Sequence, residues 1–374
     1  TTMEYLPDPW ISVYFSIPGA IGVPERFATL YVGSILFWTL RAMSLVQDRA
    51  LPAFYTLSYA QREALALDDN EINRYLLDLA RQLERRDIDY SQVLQMAFAL
   101  PGILAQALKR PIAVFLDEFQ ELLHLDAYAL DILDLFRTTT QTQVRTCWYC
   151  LAGSSISHLS AMVTDPGSPL YGQYQLIHVG GLEEAGAHLL VERLADQAVS
   201  AGVTRFLYEY TAGLPFYLSV LSTASARQAH GEAMTHEHCL AAIVDEVCMP
   251  GGTVAMHCRH TFDTMLRTAT QSTVAQQIMS ILARRGHEGV TASQVAHEIG
   301  RTPPAIYQIL SRLVDVDLIY VAKRRYAISD PVLAFWLRRG RFGVEANPLA
   351  LLDIEKTRRR LILELGEELP EVLD

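Results

Sequence analysis

Two acids stand where a buried strand should end in turn residues. Ala113–Leu122 reads AVFLDEFQEL, four apolar residues running straight into Asp117 and Glu118. An unpaired carboxylate beside a core is costly, so the pair needs a reason. In open α/β sheets, ligands bind at the carboxyl ends of the strands. An Asp at that place can hold Mg²⁺ directly or through water, and an adjacent Glu can polarise a water for in-line attack on a phosphate. The competing reading is a helix N-cap pair, because Asp favours caps and acids suit a helix start.

The elements that would position these acids alternate. Ile11–Ile17 (ISVYFSI) alternates and is rich in aromatic and β-branched residues, which predicts a strand. Helical patterns follow over Glu25–Val46, Asn70–Arg86 and Leu94–Lys109, the last with a kink or break expected at Pro101. Ile112–Leu116 is the strand that carries the acids, Ala127–Thr138 a helix, Val144–Ala152 a strand, and Tyr174–Val179 a short strand before Gly180 and Gly181. Strand, helix, strand, helix, strand is the order of an α/β domain with a mainly parallel sheet. After Gly181 the pattern is almost wholly helical.

With these elements in place, the sequence resembles the archaeal-type ATPases of the P-loop AAA+/STAND group. Four stretches carry the resemblance in the right order. AVFLDEFQEL is similar to that family's Walker B strand. LAGSSISHLSAMVTDPGSPLYGQ, from Leu151 to Gln173, is similar to its sensor-1 strand and following loop. TAGLPFYL, from Thr211 to Leu218, resembles its lid motif, and YAISDPVLAFWLR, from Tyr326 to Arg338, the end of its winged helix.

The resemblance implies an α/β P-loop NTPase core with a parallel sheet at 1–180, a helical lid at 181–265, a winged helix at 266–340 and a tail at 341–374. It implies ATP and Mg²⁺ as cofactors, with Asp117 as the Mg²⁺ acid and Glu118 as the catalytic base. Ser154 or Ser155 would sense the γ-phosphate, against the plainer reading of a strand-end turn. Pro215 would lie near the adenine, against a simple helix break. The family usually has Arg after SPLYG; here Gln173 removes that charge.

The largest departure is the Walker A loop, G-x-x-x-x-G-K-[ST], whose amides cradle phosphates and whose Lys reaches the β and γ oxygens. The sequence has three lysines, Lys109, Lys323 and Lys356, and none follows a glycine. The opening TTMEYLPDPWISVYFSI fits the family order from the Thr after that Lys onward. The expectation is therefore a chain that starts at or just past the loop, with Thr1 or Thr2 as the loop's Mg²⁺ ligand. The strand before the loop would then be missing from inside the sheet, and the chain as given would not hydrolyse ATP. A protein that never had the loop is the alternative.

TASQVAHEIGRTPPAIYQILSRLVDVDLIYVAKRRYAI reads as helix, turn, helix and β-wing. Gly300 opens the turn, Pro303 and Pro304 start the second helix, and Ala305–Val314 would be the recognition helix. Arg301, Arg312, Lys323, Arg324 and Arg325 are the basic candidates for DNA phosphates. The competing reading has this block packing on the lid or binding protein. Net charge is −11, so any contact with duplex DNA must come from such a local patch. The partner is thus duplex DNA or a protein, and an oligomer stays open.

Cys147 and Cys150 resemble a redox or zinc pair, but positions i and i+3 of a strand face opposite ways. His236, His238 and Cys239, with His257, Cys258 and His260, match no standard metal spacing. Five irregularly spaced cysteines, no signal peptide and no apolar run judged long enough for a membrane predict a cytoplasmic protein. Glu355–Asp374 reads as a solvated helix or the start of a further module. Two rival functions remain: a DNA-binding regulator with a degenerate nucleotide site, and an interaction scaffold without turnover.

Overall fold

A computed structural model describes residues 6–18, 22–196, 198–269 and 273–368. Thr1 and Thr2 lie outside the described residues, as does Gln271. The chain divides into two compact units, with the boundary between Leu176 and Ile177.

The first unit holds a parallel sheet in the order β1 (Ile11–Ser16), β2 (Ile112–Asp117), β3 (Cys147–Leu151). Ile11 pairs with Ile112 and Ser16 with Asp117; Ile112 pairs with Cys147 and Leu116 with Leu151. One face of the sheet is apolar and buried: Ile11, Val13, Phe15, Ile112, Val114, Leu116 and Cys147. The other carries Tyr14, Phe115, Trp148 and Cys150, and Trp148 is 52% exposed. Cys147 and Cys150 fall on opposite faces, as strand alternation requires.

Helices α1 (Pro24–Ala42) and α5 (Tyr90–Leu108) lie against the sheet, and α2 (Leu51–Phe54), α3 (Leu57–Ala64), α4 (Asn70–Leu83) and α6 (Ile132–Gln141) pack on them, with α7 (Ile156–Thr164) following β3. Local chemistry starts them. Pro24 opens α1, the Asp69 carboxylate accepts from the Glu71 and Ile72 amides, and Asp89 accepts from Gln92. Between sheet and helices, Phe15, Phe27, Tyr31, Phe98 and Phe136 pack ring against ring, with centroids 5.2–5.7 Å apart. Such pairs add about 0.5–1.5 kcal/mol each beyond their burial.

Three expectations change. Pro101 lies inside α5 without ending it, because it is buried and its neighbours Leu100 and Leu104 anchor the helix in the core. The helix expected at Ala127–Thr138 is a 3₁₀ helix, Phe119–Tyr128, followed by α6, whose Asp131 cap sets the true start. Tyr174–Val179 is no strand. Ile177 and Val179 are 75% and 91% exposed, and no described strand lies beside them to pair with.

The second unit is helical: α8 (Glu184–Ala195), α9 (Ala201–Thr211), α10 (Pro215–Gln228), α11 (His236–Ile243), α12 (Thr253–Ala269), α13 (Thr273–Arg285), α14 (Ala292–Ile299) and α15 (Pro303–Asp315). An antiparallel hairpin, β4 (Ile319–Ala322) and β5 (Arg325–Ile328), precedes α16 (Pro331–Trp336), α17 (Pro348–Leu352) and α18 (Ile354–Glu368). One continuous apolar core runs through it, from Ala187 to Leu365. Asp330 caps α16 through the Val332 and Leu333 amides, and its other oxygen accepts from the Tyr217 hydroxyl of α10 at 2.5 Å. Gly213 turns the chain between α9 and α10 at φ +69°; a Cβ there would lie 2.4 Å from the Leu182 carbonyl.

The tail is not a freely solvated helix. Leu361 and Leu365 of α18 are buried, and Arg358 grips both oxygens of Asp245 at 2.6 and 2.9 Å. Two stretches, Tyr90–Leu108 and His236–Ala269, are long and apolar enough to cross a membrane by length and composition, which the sequence reading overlooked. Half or more of each is buried within the fold, so core packing accounts for their apolarity.

Phe98 touches most of the aromatic cluster. Phe98→Ala should destabilise the first unit by about 3–5 kcal/mol. Urea denaturation followed by tryptophan fluorescence reads this, and a loss under 1 kcal/mol would show that the rings do not hold the sheet to its helices.

Candidate functional site

Asp117 is the last residue of β2, the central strand, and Glu118 follows at φ +52°. That left-handed backbone is uncommon for a residue with a Cβ. Three bonds fix it. The Glu118 amide donates to Asp117 Oδ1 at 3.0 Å. Ala152 donates to the Leu116 carbonyl at 2.8 Å, and the Phe119 amide returns to the Ala152 carbonyl at 2.9 Å. The ladder between β2 and β3 therefore continues around the bend and turns Glu118 toward the end of β3.

There it meets Ser154. The Ser154 hydroxyl donates to Glu118 Oε2 at 2.8 Å, and its amide lies 3.4 Å from the same oxygen. Gln120 Nε2 donates to that oxygen as well, at 2.5 Å. Burial pushes the Glu118 carboxyl up, but the bonds from Gln120 and Ser154 outweigh it and hold it below the usual glutamate value. Asp117 Oδ2 accepts from the Tyr14 hydroxyl at 2.8 Å. Burial, and then this bond to a carboxylate, raise the Tyr14 hydroxyl above its ordinary value.

The structure thus gathers Asp117, Glu118 and Ser154 at one end of the sheet. Ser155 is beside them, but its hydroxyl pairs with His158 Nδ1 at 3.0 Å. Gln173 meets Gln141 at 3.3 Å. Pro215 starts α10 in the second unit. Arg301 and Arg312 are exposed on the turn before α15 and on α15 itself. Lys323 and Arg324 form the hairpin turn at φ +50° and +64°, exposed, while Arg325 donates to the Glu288 and Gly289 carbonyls. Thr1 and Thr2 lie outside the described residues. Sequence reasoning missed Tyr14, Gln120 and His158. Strand alternation offered a signal for Tyr14, since it shares a face with Ser16, the register partner of Asp117.

The donors present bear on Mg²⁺ and phosphate differently. Among the described residues, no three His, Cys, Asp or Glu side chains converge into a metal cage. Mg²⁺ is commonly held by one or two carboxylates together with waters and substrate phosphates, and Asp117 fits that mode. Each Asp117 oxygen takes one hydrogen bond and keeps a lone pair. Phosphate is less well served. Lys109 caps α5, just before the start of β2, so it sits at the opposite end of the strand from Asp117. An apolar depression lined by Leu6, Trp10, Ala113 and Trp148 also lies at the strands' amino ends, away from the acids.

Removing the Tyr14 hydroxyl should cost about 1 kcal/mol. Folding raises the Tyr14 value, so its contribution is fully present below the ordinary tyrosine value of about 10 and is lost as pH rises from there through the raised value. Urea denaturation of Tyr14→Phe against wild type should show a gap at pH 7 that closes in strong alkali. Equal stabilities at pH 7 would remove the bond from the account.

No protein-family profile matches the sequence, and no curated protein matches it. Solved structures do. The Walker-type ATPase of Pyrococcus abyssi superposes with a TM-score of 0.51 at 17% identity, covering 76% of this chain and 78% of that one. The Thermotoga maritima RuvB Holliday junction branch migration motor matches at a TM-score of 0.31 and 13% identity, over 63% of this chain and 80% of its own, too partial to bear on the fold. The first likeness shows a shared architecture: the chain has an α/β fold of the Walker-type ATPase kind.

Proposed function

We propose that the protein is a nucleotide-dependent ATPase of the archaeal-type AAA+/STAND group that uses ATP hydrolysis as a switch. The observation that supports this best is the Asp117–Glu118 pair at the carboxyl end of the central strand, with Ser154 bonded to Glu118. In this reading Asp117 holds Mg²⁺ alongside the bound nucleotide. Glu118 takes a proton from water as the water oxygen bonds to the γ-phosphorus and the bond to the leaving ADP oxygen breaks. Ser154 or Ser155 donates to the γ-phosphate. The phosphate loop is the part this sequence does not contain, so residues 1–374 alone are expected to show no turnover.

The reading is tested on a chain extended upstream through a G-x-x-x-x-G-K-T loop. It should release phosphate from ATP. Glu118→Gln should bind nucleotide and stall, because the amide keeps the shape without the basicity. Asp117→Ala should weaken Mg²⁺-dependent binding itself. Equal phosphate release by wild type and Glu118→Gln would remove Glu118 from the mechanism. Background rates for both, with ATP still bound, would favour a switch without turnover.

For the second unit we propose a lid followed by a winged helix, α13 to α16 with the β4–β5 hairpin as wing. The exposed turn of Lys323 and Arg324 favours duplex DNA as its partner. Two phosphate contacts set the scale of the test. Replacing both residues by Ala should reduce the slope of log affinity against log salt by roughly 2, whatever the duplex sequence. An unchanged slope would point to a protein partner instead.

A further inference from the structure

Gln120 is held in a way that neither the sheet nor the core requires. It lies in the 3₁₀ helix after Glu118, and its side chain leans over Gly153 at the end of β3. A Cβ on residue 153 would fall 2.2 Å from Gln120 Oε1. That oxygen is buried and, among the described residues, accepts no hydrogen bond. A buried amide carbonyl without a donor is unfavourable, so the placement must be sustained by the amide's other end. Nε2 donates to Glu118 Oε2 at 2.5 Å. The reverse assignment would set the amide oxygen against a carboxylate, which fixes which end is which.

The Ser154 hydroxyl reaches the same Oε2. Among the described residues, no donor reaches Glu118 Oε1. One oxygen of the carboxylate is therefore doubly anchored while the other keeps its lone pairs. We infer that Gln120, seated on the space left by Gly153, is a positioning residue: it pins Glu118 Oε2 so that Oε1 is the oxygen offered to the attacking water. The role as base rests on the ATPase reading; the pinning does not.

The test follows the Gln120 side-chain amide of the full chain by proton–nitrogen NMR at neutral pH, its signal identified by its loss in Gln120→Ala. The bond to a carboxylate should hold its two amide protons well apart in shift and slow their exchange with water. Glu118→Ala removes the acceptor, and Gly153→Ala displaces the amide by contact with its flexible end, so both should bring the signal toward that of a free side chain. A side chain that only fills space would leave the signal unmoved in Glu118→Ala. Thermal unfolding confirms that each variant is folded.

In the chain extended through a phosphate loop, Gln120→Ala should lower kcat roughly ten- to a hundredfold with KM for ATP unchanged. An unmoved Gln120 amide signal in folded Glu118→Ala overturns the inference whether or not phosphate is released. So does a kcat of Gln120→Ala at or above wild type, which would make Gln120 a filler or a restraint. A moved signal with no phosphate release by wild type upholds the pinning and retires the ATPase reading.

Discussion

The site depends on one stretch of backbone pairing, the ladder between β2 and β3 that continues past the last strand residues. Ala152 bonds to Leu116, Phe119 bonds back to Ala152, and Glu118 is caught between them at a positive φ. Without that clamp the chain would leave β2 in an ordinary extended or helical conformation, and the Glu118 side chain would not face Ser154. The acids thus gain their relationship from hydrogen bonds that involve neither carboxylate. Asp117 adds one refinement, accepting its neighbour's amide and holding the bend from inside.

The clamp in turn relies on where β2 sits. A central parallel strand has its backbone groups paired on both sides, so its end is placed more tightly than that of an edge strand. The buried face, filled by aromatic rings from α1 and α5, keeps the three strands in register. The opposite face is different. Tyr14 there gives its hydroxyl to Asp117, which links that face of the sheet to the electrostatics of the site.

In the second unit a single carboxylate has a comparable part. Asp330 caps α16 and receives Tyr217, so the segment after Gly213 and the segment after the hairpin are tied together across 113 residues of sequence. The left-handed turn at Gly213 makes this possible by swinging α10 back against α9. The pair Arg358 and Asp245 then secures the final helix on the same core. These ties explain why the helices before Gly213 and those after the hairpin share one apolar core.

Alternation and punctuation in the sequence determined a good deal. They placed β1 and β2 to within a residue, found the helix–turn–helix and the hairpin, and set Cys147 and Cys150 on opposite faces. The order of motifs singled out Asp117, Glu118 and the serines, and the fold brings Asp117, Glu118 and Ser154 to one end of the sheet. These were legible because period, caps and turn residues are local. The segment Tyr174–Val179 was not: its composition is that of a strand, but a strand exists only with a partner, and none of the described strands lies beside it. Pro101 shows the converse, since burial in the core carries α5 through a residue at which local chemistry alone could end it. Tyr14 had only the alternation that sets it on one face with Ser16, and Gln120 had no signal of its own. What recruits them is the register of three parallel strands and the absence of a side chain at Gly153, and only the folded chain brings these within reach of the two acids.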